Sequence, residues 1–145
     1  MQITSRFTIA VHILVCIDYF KDTQKLTSSL LAGSIGANPV IVRTVMSKLK
    51  DAGLIDISRG RSGIGLPVPL ESITFYDVYR ALDCMNEEGL FHFHESPNPQ
   101  CPVGRNIHKA MDEKLAEVQK SMENEMRKIT LAEIAENIKD RANSP

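Results

Sequence analysis

Three features of the sequence predict a mainly α (α+β) fold. Apolar residues recur at helical spacing through residues 5–20, 38–52, 73–82 and 105–128. At residues 54–68 the pattern changes to two short strand-like runs around a glycine-bearing turn. Just ahead of that hairpin, a short helix starting after Thr27 and a second starting at Asn38 are separated by Gly36-Ala37. Short helix, tight turn, helix and two-stranded wing, in that order, predict a winged helix-turn-helix, here followed by a long C-terminal helix with the spacing of a dimerisation seam.

Each element has its own local reason. Phe7, Ala10, Val11, Leu14, Val15 and Ile17 give the first helix an apolar face. Thr27 precedes a short helix that carries Leu30, Leu31 and Ser34 and is weakened by Gly33 and ended by Gly36. Asn38-Pro39 is a strong helix start, because Asn caps free amides and Pro suits the first helical position. Val42, Val45, Met46 and Leu49 fall on one face of that helix, and Gly53 ends it. Leu54–Ile57 reads as one strand and residues 64–68 as its return, closed by prolines. Thr74 caps a helix bearing Phe75, Val78, Tyr79 and Leu82. Ile107, Met111, Leu115, Val118, Met122 and Met126 mark the stripe of the long helix, expected over residues 105–128. Thr130 and Glu133 form a capping box for a last helix, with the tail expected to fray after Lys139.

The 145 residues suit one small domain with an appended arm, divided as a DNA-binding unit at 1–83, a loop at 84–103 and the paired helices at 104–145. The net charge of -1 points to no partner, but its distribution does. Residues 1–70 hold eight Lys/Arg against four acids, a surplus of +4, and the remainder is -5. A basic front and acidic back fit a half that faces a polyanion. Three cysteines, Cys16, Cys84 and Cys101, are too few and too irregular for a disulfide framework. The run from Ile9 to Ile17 is too short to span a bilayer and no signal peptide is evident, so a cytoplasmic protein without a membrane partner is expected.

The second helix of the pair carries the chemistry. With its apolar face turned inward, it turns Val40, Arg43, Thr44, Ser47 and Lys48 outward. The major groove of B-DNA admits one such helix, and small or hydrogen-bonding side chains let it approach base edges. Arg43 suits guanine or phosphate, Lys48 and Lys50 suit phosphates, and Arg59 and Arg61 at the wing tip suit the sugar–phosphate wall or a narrow minor groove.

The start of the chain, the stretch NPVIVRTVMSKLKDAGLIDISRGRSG, the segment LESITFYDVYRALD and the end ITLAEIA resemble the Rrf2 (Rrf-two) family of bacterial winged-helix transcription regulators over nearly the whole chain. The segment HESPNPQCPVGRNI is similar to the YwnA-like branch, which lacks the cluster cysteines. The resemblance implies a homodimer formed through the long helix, a palindromic operator in double-stranded DNA and repression. By position it implies DNA contacts at Asn38, Val40, Ile41, Arg43 and Thr44, and a wing arginine at Arg59. The wing, Gly60-Arg61-Ser62-Gly63-Ile64-Gly65, departs from the family's glycines followed by an aromatic, so base preference does not carry over.

An iron–sulfur cluster needs about four ligands, mostly thiolates. The loop before the long helix holds Cys101, with Cys84 seventeen positions earlier, and Cys16 sits in an apolar helix, so no cofactor is expected. Three readings of the loop remain. Cys101 ahead of Pro102 lies at the positive end of a helix, where a redox-sensing thiol is favoured. His92, His94 and Cys101 are ligand types for zinc or copper. Alternatively FHFHE is a plain extended segment and Cys101 an inert, half-buried thiol, which is the more ordinary outcome for such residues. Any small-molecule or redox effector is unknown. Besides a DNA-binding regulator, the sequence allows a protein-interaction module on the same fold. An enzyme built on Cys101 and a loop histidine lacks an oriented Cys–His pair, and no catalytic residue is expected.

Overall fold

The computed structural model describes residues 3–57, 63–82 and 89–144. Six α-helices are described: α1 (Ser5–Phe20), α2 (Ser28–Ile35), α3 (Pro39–Asp51), α4 (Phe75–Ala81), α5 (Pro102–Met126) and α6 (Leu131–Ala142). The short strands β1 (Asp56–Ile57) and β2 (Ile64–Gly65) pair antiparallel, with Asp56 opposite Gly65 and Ile57 opposite Ile64.

The central helix is α1, which buries Phe7, Ala10, Ile13, Leu14, Val15, Cys16 and Ile17. Its apolar residues nearly encircle it because α2, α3, α4 and α6 all pack around it. Cys16 is therefore a core residue, as expected. Thr27 and Asn38 cap α2 and α3, accepting from the amides of Leu30 at 3.2 Å and Val40 at 2.8 Å. Gly36 ends α2 in the left-handed conformation (φ 74), where a side chain would be strained, and its amide donates to the carbonyl of Ala32. The chain then turns within three residues, so that α2 and α3 lie bent 112° apart, a helix-turn-helix arrangement.

The wing is shorter than the sequence suggests. Ile55 is buried in the core rather than paired in a ladder, and the return strand stops at Gly65, ahead of the prolines at 67 and 69. The long helix begins at Pro102 rather than Arg105, because proline at its first position has no amide to leave unsatisfied. It ends at Met126, two residues before Lys128.

After α5 the chain returns to the N-terminal unit. Thr74 and Thr130 bridge antiparallel, the Phe75 amide donates to Ile129 O at 2.9 Å, and the Leu131 amide donates to Ile73 O at 2.8 Å. Both helices that leave this junction start with a complete capping box, Thr74 with Asp77 and Thr130 with Glu133. Leu131 and Ala135 of α6 join the core against α1, and Lys139 pairs with Asp18 at 3.5 Å. This anchoring carries α6 to Ala142, beyond the fraying expected at Lys139.

Within this frame α5 is unusual. At about 1.5 Å per residue its 25 residues reach about 37 Å. Met122 and Met126 pack on the core, but Ile107, Met111, Leu115 and Val118 do not, and Val118 is 54% exposed. No single described helix is long and apolar enough to cross a membrane.

Candidate nucleic-acid interface

Helix α3 presents two different faces. Val42, Val45, Met46 and Leu49 are buried, which fixes the helix on the core. On the opposite side Val40 is 59% and Ile41 37% exposed, beside exposed Arg43 and Ser47. Two exposed branched apolar residues at the N-terminal end of a helix cost free energy in water but match the C5-methyl groups that thymine displays in the major groove. Asn38 uses its side-chain oxygen as a cap, so its NH₂ group is the part suited to an acceptor on DNA. Thr44 Oγ1 donates back to Val40 O at 2.9 Å, which leaves that hydroxyl as an acceptor. Lys48 is half-buried at the edge of this face.

Beside α3 runs an open cleft of about 490 Å³. Arg43, Ser47 and Lys50 line it from α3, Lys25 from the turn ahead of α2, Ser28 from the start of α2, and Ile57 and Ile64 from the wing. The cations on two of its sides, Arg43 and Lys50 on one and Lys25 on the other, suit a phosphate backbone. Lys25 and Ser28 escape sequence reasoning, since nothing local links them to residues 43–64. The signal that joins them is Gly63. A Cβ there would lie 3.0 Å from Lys25 Cγ and 3.2 Å from Leu26 O, and its φ of +65 also disfavours a side chain. Only glycine lets the base of the wing seat itself against Lys25. Arg59 and Arg61, the two wing-tip candidates, lie outside the described residues.

The loop before α5 is organised by a histidine that sequence reasoning passed over. His108 Nδ1 lies 3.1 Å from Asp112 Oδ1, and its Nε2 lies 2.8 Å from the carbonyl of His94. Both partners only accept, so the doubly protonated ring satisfies both contacts. The hydrogen bond to Asp112, more than its charge or the His94 carbonyl, raises His108 above the ordinary 6.5 against a smaller opposing effect of desolvation. Leu90 is held to the same helix by the hydrogen bond that its backbone amide donates to Gln119 Oε1, 2.8 Å. Cys101 is half-buried and occupies the cap position of α5 without a side-chain capping bond. Among the described residues no group of three or more His, Cys, Asp or Glu side chains is placed to hold a metal ion, so His92, His94 and Cys101 are not brought together as ligands.

A raised folded pKa means that the clamp stabilises the loop fully below the unfolded value and loses that contribution as pH rises through the folded one. We expect the difference in melting temperature between the wild type and His108→Ala to be present at about pH 6 and to shrink by about pH 8.5. A difference that stays constant over that window would contradict the clamp.

A bent helix pair with an outward-facing second helix, a wing beside it and a cationic cleft between them define the class as a winged helix-turn-helix regulator. Residues 3–137 match the Rrf2 family, described as "Iron-dependent Transcriptional regulator", and the chain belongs to that family. It is 38% identical over 137 residues to the "Putative HTH-type transcriptional regulator YwnA" of Bacillus subtilis (strain 168), covering 94% of this chain and 99% of that one. It is similar to a crystal structure of a "putative DNA binding protein", with 32% identity, a TM-score of 0.70, and coverage of 90% of this chain and 98% of that one. In fold alone it matches CymR, the global cysteine regulator of B. subtilis, with a TM-score of 0.69 at 17% identity, over 94% of this chain and 98% of CymR. The protein is thus a transcriptional regulator by family. Among the described residues the iron in the family's description finds no matching donor set. Of the three cysteines, Cys16 is in the core of α1 and Cys101 caps α5, while Cys84 lies outside the described residues.

Proposed function

We propose that the chain is a homodimeric, cluster-free repressor in the cytoplasm that binds a palindromic operator in double-stranded DNA. The observation that carries this is the outer face of α3, where exposed Val40 and Ile41 adjoin Arg43 and Ser47 above a cationic cleft. In this reading Asn38, Val40, Ile41, Arg43, Thr44 and Ser47 meet base edges or the adjacent backbone. Lys48, Arg59 and Arg61 meet phosphates or the minor groove. Lys25, Ser28 and Lys50 join them along the cleft. Residues 1–83 act as the DNA-binding unit, 84–103 as the loop and 104–145 as the pairing arm. Two α3 helices in one dimer then read half-sites about 34 Å apart. The loop offers Cys101 as its candidate redox-sensing thiol.

The arginines separate by kind. Arg43→Ala is expected to cost about 1–3 kcal/mol on the operator and to relax preference at one position of each half-site. Arg59→Ala and Arg61→Ala are expected to weaken all sequences alike and to reduce the salt slope by about one unit for each phosphate no longer neutralised. Titrations of operator and scrambled DNA at several salt concentrations read both effects. If all three variants bind both DNAs like the wild type, the surface serves another purpose. The exposed Val40 and Ile41 then favour a protein-interaction module, since an apolar pair equally suits a protein partner.

A further inference from the structure

An apolar groove of about 490 Å³ lies on another part of the molecule, walled by Val11, Val15 and Tyr19 of α1 and by Ile134 and Ile138 of α6. One spot on its lining is polar. His12 Nε2 lies 3.0 Å from Ser34 Oγ, and Ser34 Oγ lies 3.5 Å from Cys16 Sγ. All three residues line the groove, and Cys16 is 7% exposed. A serine hydroxyl both accepts and donates. Ser34 can therefore take the thiol proton while passing its own to the imidazole, so that Cys16 becomes a thiolate as His12 becomes an imidazolium. A thiol is a weak nucleophile until it is deprotonated, and a neighbouring base that removes the proton activates it. None of these three residues serves the DNA-facing surface.

We propose that Cys16 is a site of covalent modification by small, uncharged, soft electrophiles that carry an activated carbon–carbon double bond. The apolar walls select neutral molecules, and the volume suits a compact aromatic or aliphatic one. The Cys16 sulfur forms a bond to the β-carbon as the π bond breaks. The α-carbon then takes up one proton from solvent, and the proton that passed from the thiol through Ser34 to His12 is released to solvent. No group leaves and no oxidant is consumed. Ser34 stands in the last turn of α2, four residues ahead of the Asn38 cap of α3. An adduct on Cys16 therefore pushes against the helix that positions α3, and it weakens DNA binding. This last step rests on the DNA-binding reading above.

The test uses the full-length chain with Cys84→Ser and Cys101→Ser, which leaves Cys16 as its one thiol. N-phenylmaleimide and a carboxylate-bearing maleimide are compared by intact mass, each rate divided by the rate of that reagent with free cysteine. The neutral reagent is expected to react stoichiometrically and about tenfold faster than the anionic one. Adding Ser34→Ala is expected to slow it about tenfold. No adduct before urea is added would show that the Cys16 thiol is closed to reagents in the folded protein, and would overturn the proposal. Equal rates for the two reagents, or a Ser34→Ala rate equal to the parent's, would also overturn it. Promoter DNA binding is measured before and after modification, with a loss of about tenfold expected on adduct formation. If the unmodified protein does not bind DNA, the DNA reading fails and the adduct rates still decide the site. If binding survives complete modification, the coupling to α3 is overturned.

Discussion

Replacing Leu115 and Val118 with glutamate together is expected to turn the proposed dimer into a monomer. These residues lie on the part of α5 that stands outside the described core, with Val118 54% exposed and Leu115 half-buried. A helix about 37 Å long that holds Ile107, Met111, Leu115 and Val118 in one stripe gains little by standing in water. A twofold pairing buries that stripe in both copies at once. Each glutamate then enters the interface twice, and burying an unpaired carboxylate costs several kcal/mol. Since the change lies far from α3, folding of the N-terminal unit should persist. Operator affinity should nevertheless fall by about a thousandfold, because two linked half-site contacts become two independent ones. Light scattering reads the mass and a gel shift reads the affinity. A wild type that is monomeric at about 10 µM would contradict the pairing.

A second large effect is expected from Leu49→Ala. Leu49 is fully buried, as are Val42 and Val45, and the three tie α3 to the core against α1. Deleting its side chain leaves a cavity under α3, with an expected loss of about 2–5 kcal/mol in unfolding free energy. Leu30 of α2 is the matching control. It is 47% exposed, so Leu30→Ala should change stability by less than about 0.5 kcal/mol. Urea unfolding of both variants checks the contrast, and equal midpoints would show that α3 is not held as described.

Much of this arrangement was legible because it is local. The buried face of α3 follows directly from apolar spacing, and the caps at Thr27, Asn38, Thr74 and Thr130 from residue chemistry alone. What escaped is mostly non-local. Lys25 reaches the cleft beside α3 only because Gly63 lets the wing pack against it. His12 and Ser34 meet across 22 positions, joined by the packing of α2 on α1. The last turn of α6 holds because Lys139 meets Asp18 and Arg141 Nε donates to Asn137 Oδ1 at 2.6 Å, and only the Arg141 contact is local. His108 is a different case. Its spacing to Asp112 is an ordinary i,i+4 pair, but its role depends on the His94 carbonyl, which no side-chain pattern displays.

DNA reading by α3 is tested most directly by binding of the wild-type protein to DNA from its own promoter region, titrated at several salt concentrations beside scrambled DNA of equal length. A dimer bound to one site is expected. Operator binding should be about 10³-fold or more tighter than binding to scrambled DNA, with affinity that falls steeply as salt displaces the phosphate contacts of the cleft and wing. Equal affinity for the two DNAs would leave α3 without a reading role, and no binding to either at low salt would contradict a DNA-binding function outright.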